Sequence, residues 1–194
     1  MGLRVLACLV WLGSAMAWAQ TAPSTDSYLI RSDDSTLTYR LVHKLHTVQG
    51  VSKKLEGRAR ILPGGQAQIM VRAAVDTFDS GNSNRDAHMK ETVESARYPV
   101  VELKATAASA SLPTAFPGTL KVQLKAQVSF HGVQQMLDIP AEITWTDPAH
   151  AVATASFTIS LEQFKIERPS LMFVKVNDDL KIEARITLLR DGAK

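Results

Sequence analysis

Histidine, aspartate and a single cysteine are among the side chains here whose types could do acid–base, nucleophilic or metal chemistry. Their spacing narrows what that chemistry could be. His43 continues the apolar phase Leu37, Tyr39, Leu41, so on a strand its ring faces inward. It could donate a hydrogen bond to a quinone carbonyl or pair with a head-group phosphate. Against that stands a core histidine tied to a partner such as Asp86, since buried polar groups need partners whether or not a ligand exists. His43 and His46 are three apart, which suits metal ligands on a helix but points them to opposite faces of a strand. With His88 and His131 elsewhere, nothing in the spacing favours a metal or haem site. Asp86 suits the start of a helix, where carboxylates are favourable. Arg85 could meet an anionic head group or form a structural ion pair. No HExxH, GxSxG or Gly-rich phosphate loop occurs.

The elements that must position these residues are mostly strands. Leu120, Val122, Leu124, Ala126, Val128 and Phe130 alternate with Lys121, Gln123, Lys125, Gln127 and Ser129. Ala153, Ala155, Phe157, Ile159 and Leu161 alternate with polar residues, as do Leu180 to Leu188. Period-two alternation marks strands with one wet and one buried face. Weaker versions run through 36–43, 55–61, 67–75, 100–107 and 139–145, with a short strand expected at 171–176. Turn signals separate them at Pro63-Gly64-Gly65, Pro113 to Gly118, His131-Gly132 and Asp147-Pro148. About eight strands with short connections predict an antiparallel meander; a sheet of that size with one apolar face must sandwich or close, and closure also removes its exposed edges. Ser83 and Asp86 resemble a capping box opening a helix over Ala87 to Ala96, with Met89, Val93 and Ala96 on one face. One such helix could cap a barrel end.

The apolar phase is rich in alanine, including Ala59, Ala105, Ala126, Ala153 and Ala155. Small side chains leave room for one ligand in an eight-stranded barrel, unless Phe130, Trp145 and Phe157 fill it. An outer-membrane barrel would instead turn the apolar phase toward lipid, but the aromatic girdles that requires are missing.

The first nineteen residues read as an export signal: Arg4, an apolar run from Val5 to Leu12, and the small-x-small site Ala17-Trp18-Ala19. Cleavage would leave Gln20 first and residues 20–27 as a loose N-terminus. Val5-Leu6-Ala7-Cys8 resembles a lipobox but precedes most of the apolar run. Cys8 is the only cysteine, so the exported chain would have no disulfide and no thiol nucleophile. The net charge of +3 is interspersed, without the basic stripe of a nucleic-acid binder. No later segment reaches the roughly 20 apolar residues of a membrane span, so no stable membrane insertion is expected.

Four blocks carry a family resemblance. They are Ser35-x-Leu37-x-Tyr39-x-Leu41-x-His43 with Val48-x-Gly50 and Leu55-Glu56-Gly57; Asn84-Arg85-Asp86-x-His88-Met89-Lys90 with Tyr98-Pro99; Val128-Ser129-Phe130-His131-Gly132-Val133; and Phe157-x-Ile159-x-Leu161-x-x-Phe164-x-Ile166-x-x-Pro169 with Val176-Asn177-Asp178. In this order they resemble the YceI-like family of lipid- or polyisoprenoid-binding proteins over residues 28–188. The resemblance implies an all-β, antiparallel, eight-stranded lipocalin-like barrel, as a domain over residues 28–190, holding an isoprenoid chain in the periplasm without catalysis. Two residues depart from the family pattern: Tyr39 stands where Phe is usual, and Lys165 where Gly is usual, which puts a glycine-dependent kink in question.

The expected lumen comprises Leu37, Tyr39, Leu41 and His43; Asp86, His88, Met89 and Val93 at the helix; Leu124, Ala126, Val128 and Phe130; Trp145; Ala155, Phe157, Ile159 and Leu161; and Phe164. The ligand expected there is a polyisoprenoid or isoprenoid quinone, with no other cofactor and no nucleic-acid partner; a homodimer is compatible. Two other classes stay open. One is an enzyme acting on a small hydrophobic substrate, with His43 and Asp86 as acid and base. The other is a stress-response module without ligand.

Overall fold

The structure, a computed structural model, describes residues 25–42, 47–108, 110–171 and 174–193. The leader, its cleavage site, Cys8, His43 and His46 lie outside these residues. The strands are β1 (Asp26–Val42), β2 (Thr47–Ser52), β3 (Leu55–Ile61), β4 (Ala67–Ala74), β5 (Val100–Ala107), β6 (Gly118–Phe130), β7 (Val133–Trp145), β8 (His150–Ser160), β9 (Ser170–Leu171), β10 (Val174–Lys175) and β11 (Asp179–Arg190). One α-helix, α1 (Ser83–Thr92), lies between β4 and β5.

Eight strands form the closed antiparallel barrel expected from the alternation, in the order β1-β3-β4-β5-β6-β7-β8-β11, with β11 returning to β1. β2 is an extra strand. β1 is long enough to pair Asp26–Leu29 with β3 and Leu37–Val42 with β2. A bulge between Arg31 and Thr36 bends β1 between these halves. Ser35 fills the bulge: its Oγ donates to Arg31 O at 2.6 Å and accepts from Thr187 N at 3.0 Å. The hydroxyl thus bonds one backbone group on each strand at the bulge.

The apolar phase faces inward and the charged phase outward. Cross-strand pairs Lys125–Asp138, Lys121–Glu142 and Arg72–Glu56 lie on the outer surface. That is the reverse of a lipid-facing barrel.

Several boundaries differ from the sequence expectation, each for a visible reason. The polar run Arg31 to Ser35 hides the first half of β1. β7 begins at Val133 rather than 139, because Gln135 occupies the inward phase and Met136, 66 % exposed, the outward one. The strand expected at 171–176 is instead the two-residue pair β9 and β10. The N-cap of α1 is Asn82, whose side chain accepts from Arg85 N at 3.1 Å, so Ser83 is the first helical residue and the capping box does not form. Met89 and Val93 face the barrel, whereas Ala96 lies beyond the helix and is exposed.

Several turns carry left-handed backbone, and two of them fall in the blocks named above. His131 (φ 50°) and Gly132 (φ 72°) form the two-residue connection of β6 to β7. Positive φ at both central residues matches the strand twist of a hairpin. A Cβ on Gly132 would stand 2.6 Å from the Tyr98 ring, so a side chain there would collide with it. Lys165, at the end of a 3-10 turn over Glu162–Phe164, adopts φ 57° and ψ 31°. The kink that glycine would ease is therefore kept by a lysine.

Candidate ligand cavity

The barrel encloses a cavity of about 500 Å³. That volume is within the roughly 300–1,000 Å³ of small-molecule sites. It persists because the large side chains collect at the ends. Tyr28, Trp145, Ala151 and Leu188 pack one end. At the other, Phe130, Leu161, Phe164, Ile166 and Val176 form a core beneath α1. Between them, Ala73, Ala141, Ala153, Ala155 and Ala184 keep the wall thin. Not every alanine makes room. Ala67, Ala105, Ala107 and Ala126 pack into a solid cluster with Leu124 and Ile139.

Of the residues expected in the lumen, Leu37, Tyr39, Leu41, His88, Met89, Val93, Leu124, Val128, Phe130, Ala155, Phe157, Ile159 and Leu161 line the cavity. Ala126 shares the inward face of β6 but is 0 % exposed within the alanine cluster. Trp145 closes the far end, and Phe164 lies in the core behind the lining. Asp86 is turned away: its carboxylate accepts from Ser80 N at 3.1 Å and from Ser80 Oγ. His43 falls outside the described residues.

Sequence reasoning left out β11, whose Ile182, Ala184, Ile186 and Leu188 all line the cavity. The alternation had already placed them on the apolar phase. It also left out Val75 and Phe78, which lie in the link from β4 to α1, where period two gives no signal.

Four polar lining residues, Arg85, His88, Thr92 and Ser170, border the cavity at the α1 end, while Arg58, Arg72 and Thr154 border it from the barrel strands. Arg85 donates from Nε to Ser80 Oγ at 2.9 Å and from Nη2 to Ser80 O, which fixes the guanidinium at this rim. The His88 side chain is 84 % exposed, so this rim meets solvent. Tyr39 lies across from Gly50, where a Cβ would stand 2.4 Å from the phenol ring. Burial raises the Tyr39 pKa above the usual phenol value; Asp86 raises it further and Arg85 opposes the rise. The phenol oxygen is buried with no hydrogen-bond partner among the described residues.

No cluster of three or more His, Cys, Asp or Glu that could hold a metal ion occurs among the described residues. No helix among them is long and apolar enough to cross a membrane. Comparison with known proteins matches the YceI-like domain to residues 28–188, so the chain belongs to the YceI-like family. No curated protein matches the sequence. A polyisoprenoid binding domain from Saccharophagus degradans, implicated in plant cell wall breakdown, superposes with a TM-score of 0.69 at 16% identity, covering 84% of this chain and 98% of that one. Burkholderia cenocepacia BcnA gives 0.65 at 15% identity, covering 81% and 98%. The Campylobacter jejuni YCEI protein gives 0.58 at 14% identity, covering 78% and 90%. At these identities the likeness is one of fold.

Proposed function

We propose that this chain is an exported, periplasmic carrier that holds an isoprenoid lipid or isoprenoid quinone in the barrel and leaves it chemically unchanged. The observation that carries the reading is the apolar cavity itself, about 500 Å³ and walled by aliphatic side chains from α1 and the barrel strands. Membership of the YceI-like family supports it, as does the fold shared with the Saccharophagus degradans polyisoprenoid binding domain.

The energetics favour recognition by the tail. Burying one five-carbon isoprene unit contributes about 3–4 kcal/mol at about 0.8 kcal/mol per carbon. A few units offset the cost of association. A single head-group hydrogen bond adds only about 0.5–1.5 kcal/mol. The chain runs toward Ile143 and Leu188, and the polar end rests at the rim formed by Arg85, His88 and Thr92.

The test is solvent extraction and mass spectrometry of the protein purified from its own periplasm. An isoprenoid lipid near one per chain is expected. Protein recovered from that compartment without lipid, and unable to take up a prenyl quinone, would overturn the reading. Turnover of such a lipid, lost on changing His43 or Asp86, would replace it with an enzymatic one.

A further inference from the structure

We propose that lipid reaches the cavity sideways, through the seam between β7 and β8, a route that rests on the carrier reading above. The flanking ladders are complete. β6 and β7 pair from Gly118–Trp145 to Phe130–Val133, and β8 pairs with β11 from His150 to Ser160. Between them, β7 and β8 pair only over Ala141–Trp145 and Ala151–Ala155. Past the last rung, Ala141 opposite Ala155, the two strands share no ladder pairs.

Pro140 is the next residue of β7, and it has no N–H with which to extend a ladder. The open stretch, Ser156–Ser160 on the β8 side, is about 17 Å long at about 3.4 Å per residue. Its far end is held by the 3-10 turn, where Gln135 Nε2 donates to Gln163 O at 3.1 Å.

A groove on the outer surface meets the seam at the fork. Pro140, Glu142 and Ser156 border it. Ala141, Thr154, Ala155 and Ala184 border both this groove and the cavity. At the fork the wall between outside and inside is therefore one layer of small residues. Along the open stretch the inner side is covered by Leu137, Ile139 and Phe157. Leu137 and Phe157, only partly buried, can move aside by rotamer changes, while the buried Ile139 stays packed. Opening the seam breaks no rung between β7 and β8.

Pro140 and Ser156 occupy the positions of the missing next rung, so a disulfide there should close the seam. The experiment uses Pro140→Cys with Ser156→Cys in a chain also carrying Cys8→Ser. The control is Thr144→Cys with Val152→Cys, across an existing rung and away from both the groove and the cavity. Transfer of a fluorescent prenyl lipid from phosphatidylcholine vesicles is followed in time, oxidised and reduced.

The oxidised seam pair should slow transfer about tenfold while leaving the final occupancy unchanged, and reduction should restore the rate. The control pair should transfer at the unmodified rate in both states. An unchanged rate with the seam disulfide confirmed by mass would overturn the proposal and leave the α1 rim as the route. Should the seam pair not oxidise, Phe157→Ala decides: a faster rate supports the seam, and an unchanged one overturns it. Lack of uptake by the unmodified protein would overturn the carrier reading itself.

Discussion

Lys165 and Ser35 show how single residues shape the wall. A left-handed conformation costs an L-residue about 1–2 kcal/mol, and Lys165 adopts it with φ 57°. Glycine removes that cost but adds about 0.5–1 kcal/mol of unfolded-state entropy. We expect Lys165→Gly to raise the melting temperature by about 1–3 °C, at about 2–4 °C per kcal/mol for a domain of this size. A lower melting temperature would show that the lysine side chain contributes more than the strain costs. Ser35 acts in the opposite sense. Its hydroxyl serves Arg31 O and Thr187 N inside the β1 bulge. Ser35→Ala removes both hydrogen bonds, a loss of about 0.5–1.5 kcal/mol for each. Thermal melting should show it, and an unchanged transition would mean that water reaches the bulge.

Among the elements, those that join strand ends hold the barrel's shape. His131 contacts Phe164 O through Nδ1 at 3.0 Å and Glu94 Oε1 through Nε2 at 3.3 Å, linking the β6–β7 turn to the 3-10 turn and the segment after α1. Asp178, just before β11, accepts from Glu162 N at 2.9 Å. The Ser160 hydroxyl, foremost, and that N–H hold its pKa below the ordinary aspartate value, against some opposing burial. A depressed folded pKa gives stability that is present above the unfolded value of about 3.9 and is lost as pH falls through the folded one. Melting temperature should therefore be flat above about pH 5 and fall below about pH 4, less steeply in Asp178→Asn. Equal acid slopes for the two proteins would contradict the role given to Asp178.

The strands were legible wherever apolar and polar residues alternate cleanly, as in β6, β8 and β11. They were hidden where the chain breaks that rule, at Arg31 to Ser35 and at Gln135 and Met136. The cavity lining was legible as a face, because one register fixes every side chain of a strand. Which residues of that face border empty space was not legible. That depends on packing across the barrel, which buries Ala126 completely while Ala155, packed against the same cluster, borders the open space.

At the scale of the molecule, the protein is a closed barrel with a charged exterior, a solid alanine-rich side and an apolar cavity between two packed ends. We expect it to be exported with cleavage after Ala19, so that N-terminal sequencing of the exported form starts at Gln20. A form beginning at lipid-modified Cys8 would contradict this and place the chain on a membrane surface. Whether the cavity is the lipid site is decided by Ala155→Trp, with melting temperature and equilibrium uptake of a fluorescent prenyl lipid measured on the same variant. An indole in a solid core costs about 1–3 kcal/mol in overpacking, whereas in a cavity it only takes up space. The expected result is a melting temperature close to that of the unmodified protein with uptake weakened at least about tenfold, equivalent to about 1.4 kcal/mol. A stable Ala155→Trp protein that takes up the lipid as before would contradict the account and place the ligand elsewhere.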